Sequence, residues 1–321
     1  MDCVSPAEQS ESPGEGIRVS AASQELLGRL HRQYDARIKL HRDKPEESVE
    51  STVRALWLCA VGHPISSAKA MRVPLPDPTP EQAAKLTELL EQRAGGVPLA
   101  YLTGKQSFMG LEFQCGPSAL IPRKETELLG ATACLLLRGE ILPRTNRPRV
   151  LDLCTGTGNL ACAVAHQLPQ CDLVASDLSP DACDLARQNA RTLRVQDRVR
   201  FLVGDLFAPF ENDEFANSFD LIMCNPPYIS AARLPRMELE IIQHEPRIAF
   251  DGGPFGLSVL SRLLRAAPRF IRPEGWLAFE AGAGQGAGLV KRLAKDSQYR
   301  RVDGVADRNG EVRAVIAQIA K

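Results

Sequence analysis

The sequence predicts an α/β protein in two parts, a helical region followed by a doubly wound sheet. Three observations predict it. From Arg149 onward, short apolar runs of strand length alternate with helical stretches, the pattern of a parallel sheet with helices on both faces. Residues 20–95 carry helical periodicity without such strands. A glycine turn, Gly156-Thr-Gly158, follows the first strand, where open α/β sheets bind ligands. The 321 residues fit two domains.

Taken in order, the start MDCVSPAEQSESPGEG is acidic and rich in small residues, and disorder is expected over 1–18. A helical domain is expected over 19–96. Leu26, Leu27, Leu30, Tyr34 and Ile38 fall close to one helical face. A second helix is expected from Glu47 to Val61, ending near Gly62 and His63-Pro64. The four prolines between Ala68 and Pro80 predict a loop. Thr79 as N-cap and Pro80 at the first position predict a third helix, which runs to Ala94 and stops at Gly95-Gly96. Residues 97–120 hold short apolar runs broken by Gly104, Gly110 and Gly116-Pro117, predicting a linking β-hairpin. A third segment is expected over 121–321.

That segment opens with a helix over Lys124–Arg138. RVLDL is a buried strand, Asn159–Gln167 a helix and DLVAS a strand. Ser179 caps a helix with Pro180 inside it, running to about Leu193. RVRFLV and DLIMC are strands. A helix follows over Gly256–Phe270, WLAFE is a strand, Gln285–Ala294 a helix, and VRAVIAQI closes the chain as a strand. All strands are expected to be parallel.

Composition excludes several classes. The 39 basic residues balance 39 acidic ones, so no direct nucleic-acid partner is expected. No apolar run approaches a membrane span, and the start lacks the regions of a signal peptide. The nine cysteines are scattered, with neither a disulfide framework nor zinc-ligand spacing, so no metal is expected. Reduced thiols fit a cytoplasmic enzyme.

The glycine turn predicts a cofactor site. Glycine tolerates unusual backbone angles and admits a ligand close to the chain. Asp152 precedes the turn. Asp177 ends the second strand, where a carboxylate accepts hydrogen bonds from ribose hydroxyls in dinucleotide folds. Asp205 ends the third strand and is placed to meet an adenine amino group. Thr155 and Leu206 flank these positions. NAD uses the same topology, but its G-x-G-x-x-G fingerprint is absent, because Asn159-Leu160-Ala161 follow the turn.

A second site is expected at Asn225-Pro226-Pro227-Tyr228, after the strand DLIMC. Prolines cannot continue a sheet, so the chain leaves it stiffly at Asn225. Asn225 offers a side-chain carbonyl, and Pro226 a backbone carbonyl with no N–H of its own. Two such acceptors suit the two N–H groups of a planar nitrogen, holding its lone pair toward a methyl donor. Tyr228 can pack on the flat group. Asn225, Pro226 and Tyr228 are therefore the candidate catalytic residues.

At these residues the chain resembles the HemK/PrmC family of S-adenosylmethionine-dependent protein glutamine methyltransferases, from about Glu81 to the C-terminus. The blocks that carry it are GVPLAYLTGKQSFMGLEF, SALIPRKETELL, LDLCTGTGNLA, NPPYIS, HEPRIAFDGGPFGL and GWLAFEAGAGQG…DRNGEVRAV. The D-x-x-T-G-T-G turn is similar to the form typical of S-adenosylmethionine enzymes. The resemblance implies a Rossmann-like class I methyltransferase domain preceded by a helical substrate-recognition domain. It implies cofactor contacts from Asp152, Thr155, Gly156, Gly158, Asp177, Asp205, Leu206 and Asn225. It implies acceptor contacts from Phe108, Arg123, Asn225, Pro226, Pro227 and Tyr228, with Pro122 beside them. His244, Glu245 and Pro246 match a family block and read as structural. The implied acceptor is the glutamine of the Gly-Gly-Gln motif in a peptide chain release factor. A ribosomal-protein glutamine, a small nitrogen compound and, through NPPY alone, a DNA adenine remain alternatives, as does a cofactor-binding module without catalysis. Two departures stand out. Lys124-Glu125 replace the family's Pro-Asp, and Cys154 stands where release-factor enzymes generally carry glycine, as in the ribosomal-protein branch.

Overall fold

The computed structural model describes residues 20–320 apart from residue 42, so the disorder expected over 1–18 lies outside the described residues. Helix α1 (Ala21–Tyr34) is capped by Ser20, whose hydroxyl accepts from the Ser23 N–H. It ends four residues before Ile38, so Ile38 is buried from a turn rather than a helix face. α2 (Val49–Ala60) begins in a reciprocal Ser48/Ser51 capping box. The expected loop holds one short helix, α3 (Ser67–Ala70). α4 (Pro80–Ala94) starts as read, with Thr79 and Gln82 closing a capping box. Leu30, Tyr34, Leu56, Trp57, Leu86 and Leu90 join in one apolar core that also takes in Leu99.

The connector contains an unexpected helix, α5 (Leu99–Thr103), stopped by Gly104 in the left-handed region. The hairpin follows as β1 (Lys105–Phe108) and β2 (Leu111–Gln114), paired antiparallel. Its two-residue turn puts both Met109 and Gly110 at positive φ, which matches the twist of paired strands. The Met109 N–H bonds Glu127, fixing the hairpin to α6 (Glu127–Leu136). A 3₁₀ turn over Lys124–Thr126 precedes α6 and a π turn over Leu137–Ile141 follows it, so the expected helix is three pieces.

The remaining elements are β3 (Arg149–Leu153), α7 (Asn159–Gln167), β4 (Asp172–Asp177), α8 (Pro180–Thr192), β5 (Val199–Val203), β6 (Phe219–Cys224), α9 (Leu239–His244), α10 (Ser258–Ala266), β7 (Ile271–Glu280), α11 (Gly286–Leu293), β8 (Tyr299–Ala306) and β9 (Val312–Ile319). They form a seven-stranded sheet in the order β5-β4-β3-β6-β7-β9-β8. Five strands are parallel, but β9 runs antiparallel to both β7 and β8, which corrects the all-parallel expectation. β8 escaped the sequence reading because this edge strand shows mostly solvent-facing Arg300, Arg301 and Asp303 instead of an apolar run. Two apolar cores sandwich the sheet. One lies under α6, α7 and α8, the other under α10 and α11.

β3 and β6 are neighbours, and strand order reverses between them. That reversal opens a crevice at their carboxyl ends. The glycine turn leaves β3 there and Asn225 leaves β6 there. Among the described residues no helix is long and apolar enough to cross a membrane.

Candidate active site

Two cavities open at the crevice. The first, about 210 Å³, is walled by Thr155, Gly156, Asp177, Leu178, Asp205 and Leu206 among others. The second, about 750 Å³, is walled by Pro226, Tyr228, Glu125, Glu280 and, from the helical region, Leu40 and Asp43. Both include Leu120, Arg123, Asn225, Pro227 and Ala249 in their walls. The two sites read from sequence thus share a partition, and Asn225 belongs to it.

In the first cavity, Gly156 has φ +54 and a side chain there would meet no atom within 4 Å, so the backbone faces open space. The Asp177 carboxylate accepts from the Gly156 N–H and the Ser179 N–H, each at 2.9 Å. Burial pushes its pKa up, against these N–H bonds that favour the anion. Asp205 sits at the rim, about half-exposed, paired with Arg262 at 2.7 Å. Cys154 has φ +57, the backbone region that glycine adopts without strain. A side chain at this position is strained, and glycine would relieve that strain.

Two expected cofactor residues lie elsewhere. Asp152 is fully buried behind the turn, where its Oδ2 accepts from the Thr155 hydroxyl (2.6 Å) and the Ala161 N–H (3.2 Å). It braces the loop rather than walling the cavity, and burial pushes its pKa up to about 7. Gly158 is also outside the wall. Its φ is +76 and a Cβ there would come within 3.0 Å of the Ala186 Cβ, so glycine is needed for α7 to pack on α8.

At the second cavity, the Asn225 Nδ2 donates to the Thr126 Oγ1 at 3.1 Å, which turns the Asn225 carbonyl away from that contact. Among the described residues the Pro226 carbonyl takes no backbone hydrogen bond. Tyr228 donates to Glu280 at 2.9 Å and lies 3.3 Å from Glu125. Burial and these two acids push its phenol pKa well above the usual value. The block after NPPY seats this loop. Ile229 and Phe250 are joined by an N–H···O bond of 3.0 Å, Gly252 donates back to Ile229 at 2.8 Å, and a Cβ on Gly256 would come within 2.2 Å of the Tyr228 carbonyl oxygen.

Phe108 does not wall either cavity. It is wholly buried and packs edge-on to Phe113, because the alternating hairpin turns it into the core beneath α6. Arg123 does border both cavities, but its guanidinium is already engaged by the Ile121 carbonyl (3.1 Å), Asp43 (3.1 Å) and Glu245. Pro122 borders the first cavity. Glu245 also accepts from the Ile121 N–H at 2.9 Å, a structural tie as read, made to the linker and not to His244.

Sequence reasoning missed Thr126, Glu280, Leu40 and Asp43. Thr126 sat in a stretch read as helix, and Glu280 in one read only as strand. An acid ending the strand beside β6 was the available signal. Nothing in the order of residues brings Asp43 to Arg123.

Comparison with known proteins bears on the whole chain. Residues 129–257 match the family model "Methyltransferase small domain". A release factor glutamine methyltransferase of Moorella thermoacetica is 37% identical over 84% of this chain and 90% of its own length. The chain belongs to the release factor glutamine methyltransferase family. A second member, from Bradyrhizobium diazoefficiens, is 32% identical over 95% of this chain and 96% of its own length, so the likeness includes the helical region. A third, from Geobacter sulfurreducens, is 40% identical over 64% of this chain. The chain is a methyltransferase.

Proposed function

We propose that the protein transfers a methyl group from S-adenosylmethionine to the side-chain amide nitrogen of the glutamine in the Gly-Gly-Gln motif of a peptide chain release factor. The observation that carries this reading is the partition of Asn225 and Pro227 between the two cavities. A group in the first cavity and an amide in the second would meet there, which makes transfer a matter of positioning.

The residues of the first cavity fit the cofactor. Gly156 leaves the backbone open to close approach, and Thr155, Asp177, Asp205 and Leu206 would hold the ribose and adenine ends. When bound, S-adenosylmethionine supplies a methyl group on a positively charged sulfur. Asn225 and the Pro226 carbonyl would accept the two amide N–H groups. Thr126 fixes which end of the Asn225 amide faces the acceptor. The prolines hold the second carbonyl in place before reaction, so little reorganisation remains. Tyr228, held by Glu280, would cover the flat amide.

The size of the second cavity and its two-domain wall support a protein segment over a small compound. The wall sets Asp43, Glu125, Glu238 and Glu280 against Arg123, Arg233 and Arg313, so it offers no basic track for a polyanionic DNA strand. Incubation with labelled S-adenosylmethionine and a release factor, followed by mass spectrometry, tests the reading. One added methyl on the Gly-Gly-Gln glutamine is expected, lost in Asn225→Ala. Methylation of a ribosomal protein or a small amide instead would refute it.

A further inference from the structure

Glu280 lines the acceptor cavity yet is 2% exposed. It ends β7 beside the end of β6. Cys224 and Phe279 are register partners, so Asn225 and Glu280 leave adjacent strands side by side. Its Oε1 accepts from Tyr228 and the Thr126 hydroxyl also faces the carboxylate, yet Oε2 is buried without a hydrogen-bond partner in direct reach. Arg313, the nearby cation, is spent on Glu125 (2.8 Å) and the Ala281 carbonyl (3.1 Å). An unpaired carboxylate oxygen in a buried wall is costly unless a donor arrives.

We propose that Glu280 is a specificity-determining residue of the acceptor cavity, its Oε2 accepting a hydrogen bond from an N–H of the bound acceptor. This rests on the release-factor reading. There, Asn225 and Pro226 take the two side-chain amide hydrogens, so Glu280 takes a third N–H, of the kind a main chain supplies beside its glutamine. A site built around such a bond rejects acceptors that lack the donor far more strongly than an apolar wall does.

The groups facing Glu280 are Glu125 and Thr126 from the turn before α6, Tyr228 from the loop after β6, and Arg313 from β9. Burial, with the Glu125 charge, pushes its pKa up to about 7, and Thr126, Tyr228 and Arg313 hold it back from going higher. The acceptor oxygen is therefore present above neutral pH and lost as pH falls through about 7.

The test is calorimetric titration of a release factor into the full-length protein loaded with S-adenosylhomocysteine. Glu280→Gln preserves a carbonyl for Tyr228 and replaces the free oxygen with an amide donor. At least ten-fold weaker release-factor binding is expected, with S-adenosylhomocysteine affinity unchanged and cooperative unfolding retained. Wild-type affinity should fall at least ten-fold from pH 8.5 to 5.5, and that of Glu280→Gln should not. Unchanged release-factor affinity in the variant, or an equal loss of affinity for both ligands, overturns the proposal. Should Glu280→Gln not fold, Glu280→Asp, which withdraws the carboxylate by one methylene, takes its place, and unchanged release-factor affinity in it overturns the proposal. A release factor that does not bind the wild type at any pH sinks the release-factor reading first, and this inference with it.

Discussion

The side-chain amide of Asn225 is hydrogen bonded to the hydroxyl of Thr126 at 3.1 Å, across 99 residues of sequence. One partner follows the last residue of β6 and the other closes the 3₁₀ turn before α6. The orientation of Asn225 is therefore set from outside its own loop.

Thr126→Val keeps the shape of this contact and removes its oxygen. The Asn225 amide then loses the bond that tells its two ends apart. Methyl transfer should fall roughly 10- to 100-fold, in line with losing the orientation of one preorganised acceptor. Cofactor affinity, measured by calorimetry, should fall by less than the rate, since Thr126 also borders the first cavity. Wild-type turnover in this variant would show that Thr126 does not orient Asn225.

Asp177→Ala removes the carboxylate that ties Gly156 to Ser179 and faces the first cavity. Binding of S-adenosylmethionine should weaken by about ten-fold or more, since a hydrogen bond to a charged group contributes roughly 1.5–3 kcal/mol. Calorimetric titration measures it directly, and an unchanged affinity would remove Asp177 from the site.

Asp152 carries a pH signature of its own. Its carboxyl is raised by burial from 3.8 to about 7, so its contribution to stability is fully present below the unfolded value and is lost as pH rises through about 7. At pH 8 the protein holds a buried anion at a cost on the order of a few kcal/mol. Asp152→Asn should therefore raise the melting temperature at pH 8 and raise it clearly less at pH 5, where only part of the cost is present. Thermal denaturation at the two pH values checks this, and an equal shift at both would contradict it.

Glu240 joins the two parts of the chain. This buried carboxylate on α9 meets Lys44, Arg93 (2.5 Å) and His41 (3.0 Å), all from the helical region. Burial pushes its pKa up, but Lys44 and Arg93 outweigh burial and lower it, so its stabilisation is held above the unfolded value and lost in acid. Glu240→Ala leaves two buried cations facing no acid from α9, and roughly 3–5 kcal/mol of stability should be lost. Denaturant unfolding at pH 7 measures it. A loss below about 1 kcal/mol would mean that Glu47, bonded to Arg93 at 3.2 Å, suffices for the cluster.

Local signals made most of the fold legible. Thr79-Pro80, Ser179-Pro180 and the alternating runs after Arg149 placed α4, α8 and the central strands, because caps, prolines and apolar periodicity act within a few residues. β8 was hidden because an edge strand needs no apolar face. The antiparallel entry of β9 was hidden because its eight residues read alike in either direction. The glycine turn and NPPY marked the crevice, yet Asp152 and Phe108 were placed in its walls when both are buried away from it. Their motifs state that the residues matter, and only packing states which way they face. Glu280 and Asp43 were invisible for the opposite reason, since each becomes part of the wall only when distant segments meet.

The partition at Asn225 and Pro227 has a consequence for chemical intervention. Under the proposed function, a chamber for a nucleoside and a chamber for an amide with a wall in common invite a single tethered molecule, one arm in each. Such a ligand would draw its selectivity from the larger chamber, where Leu40 and Asp43 of the helical region contribute. The smaller cavity draws its wall from the glycine turn and strand ends together with Ile121, Pro122, Arg123 and Arg262.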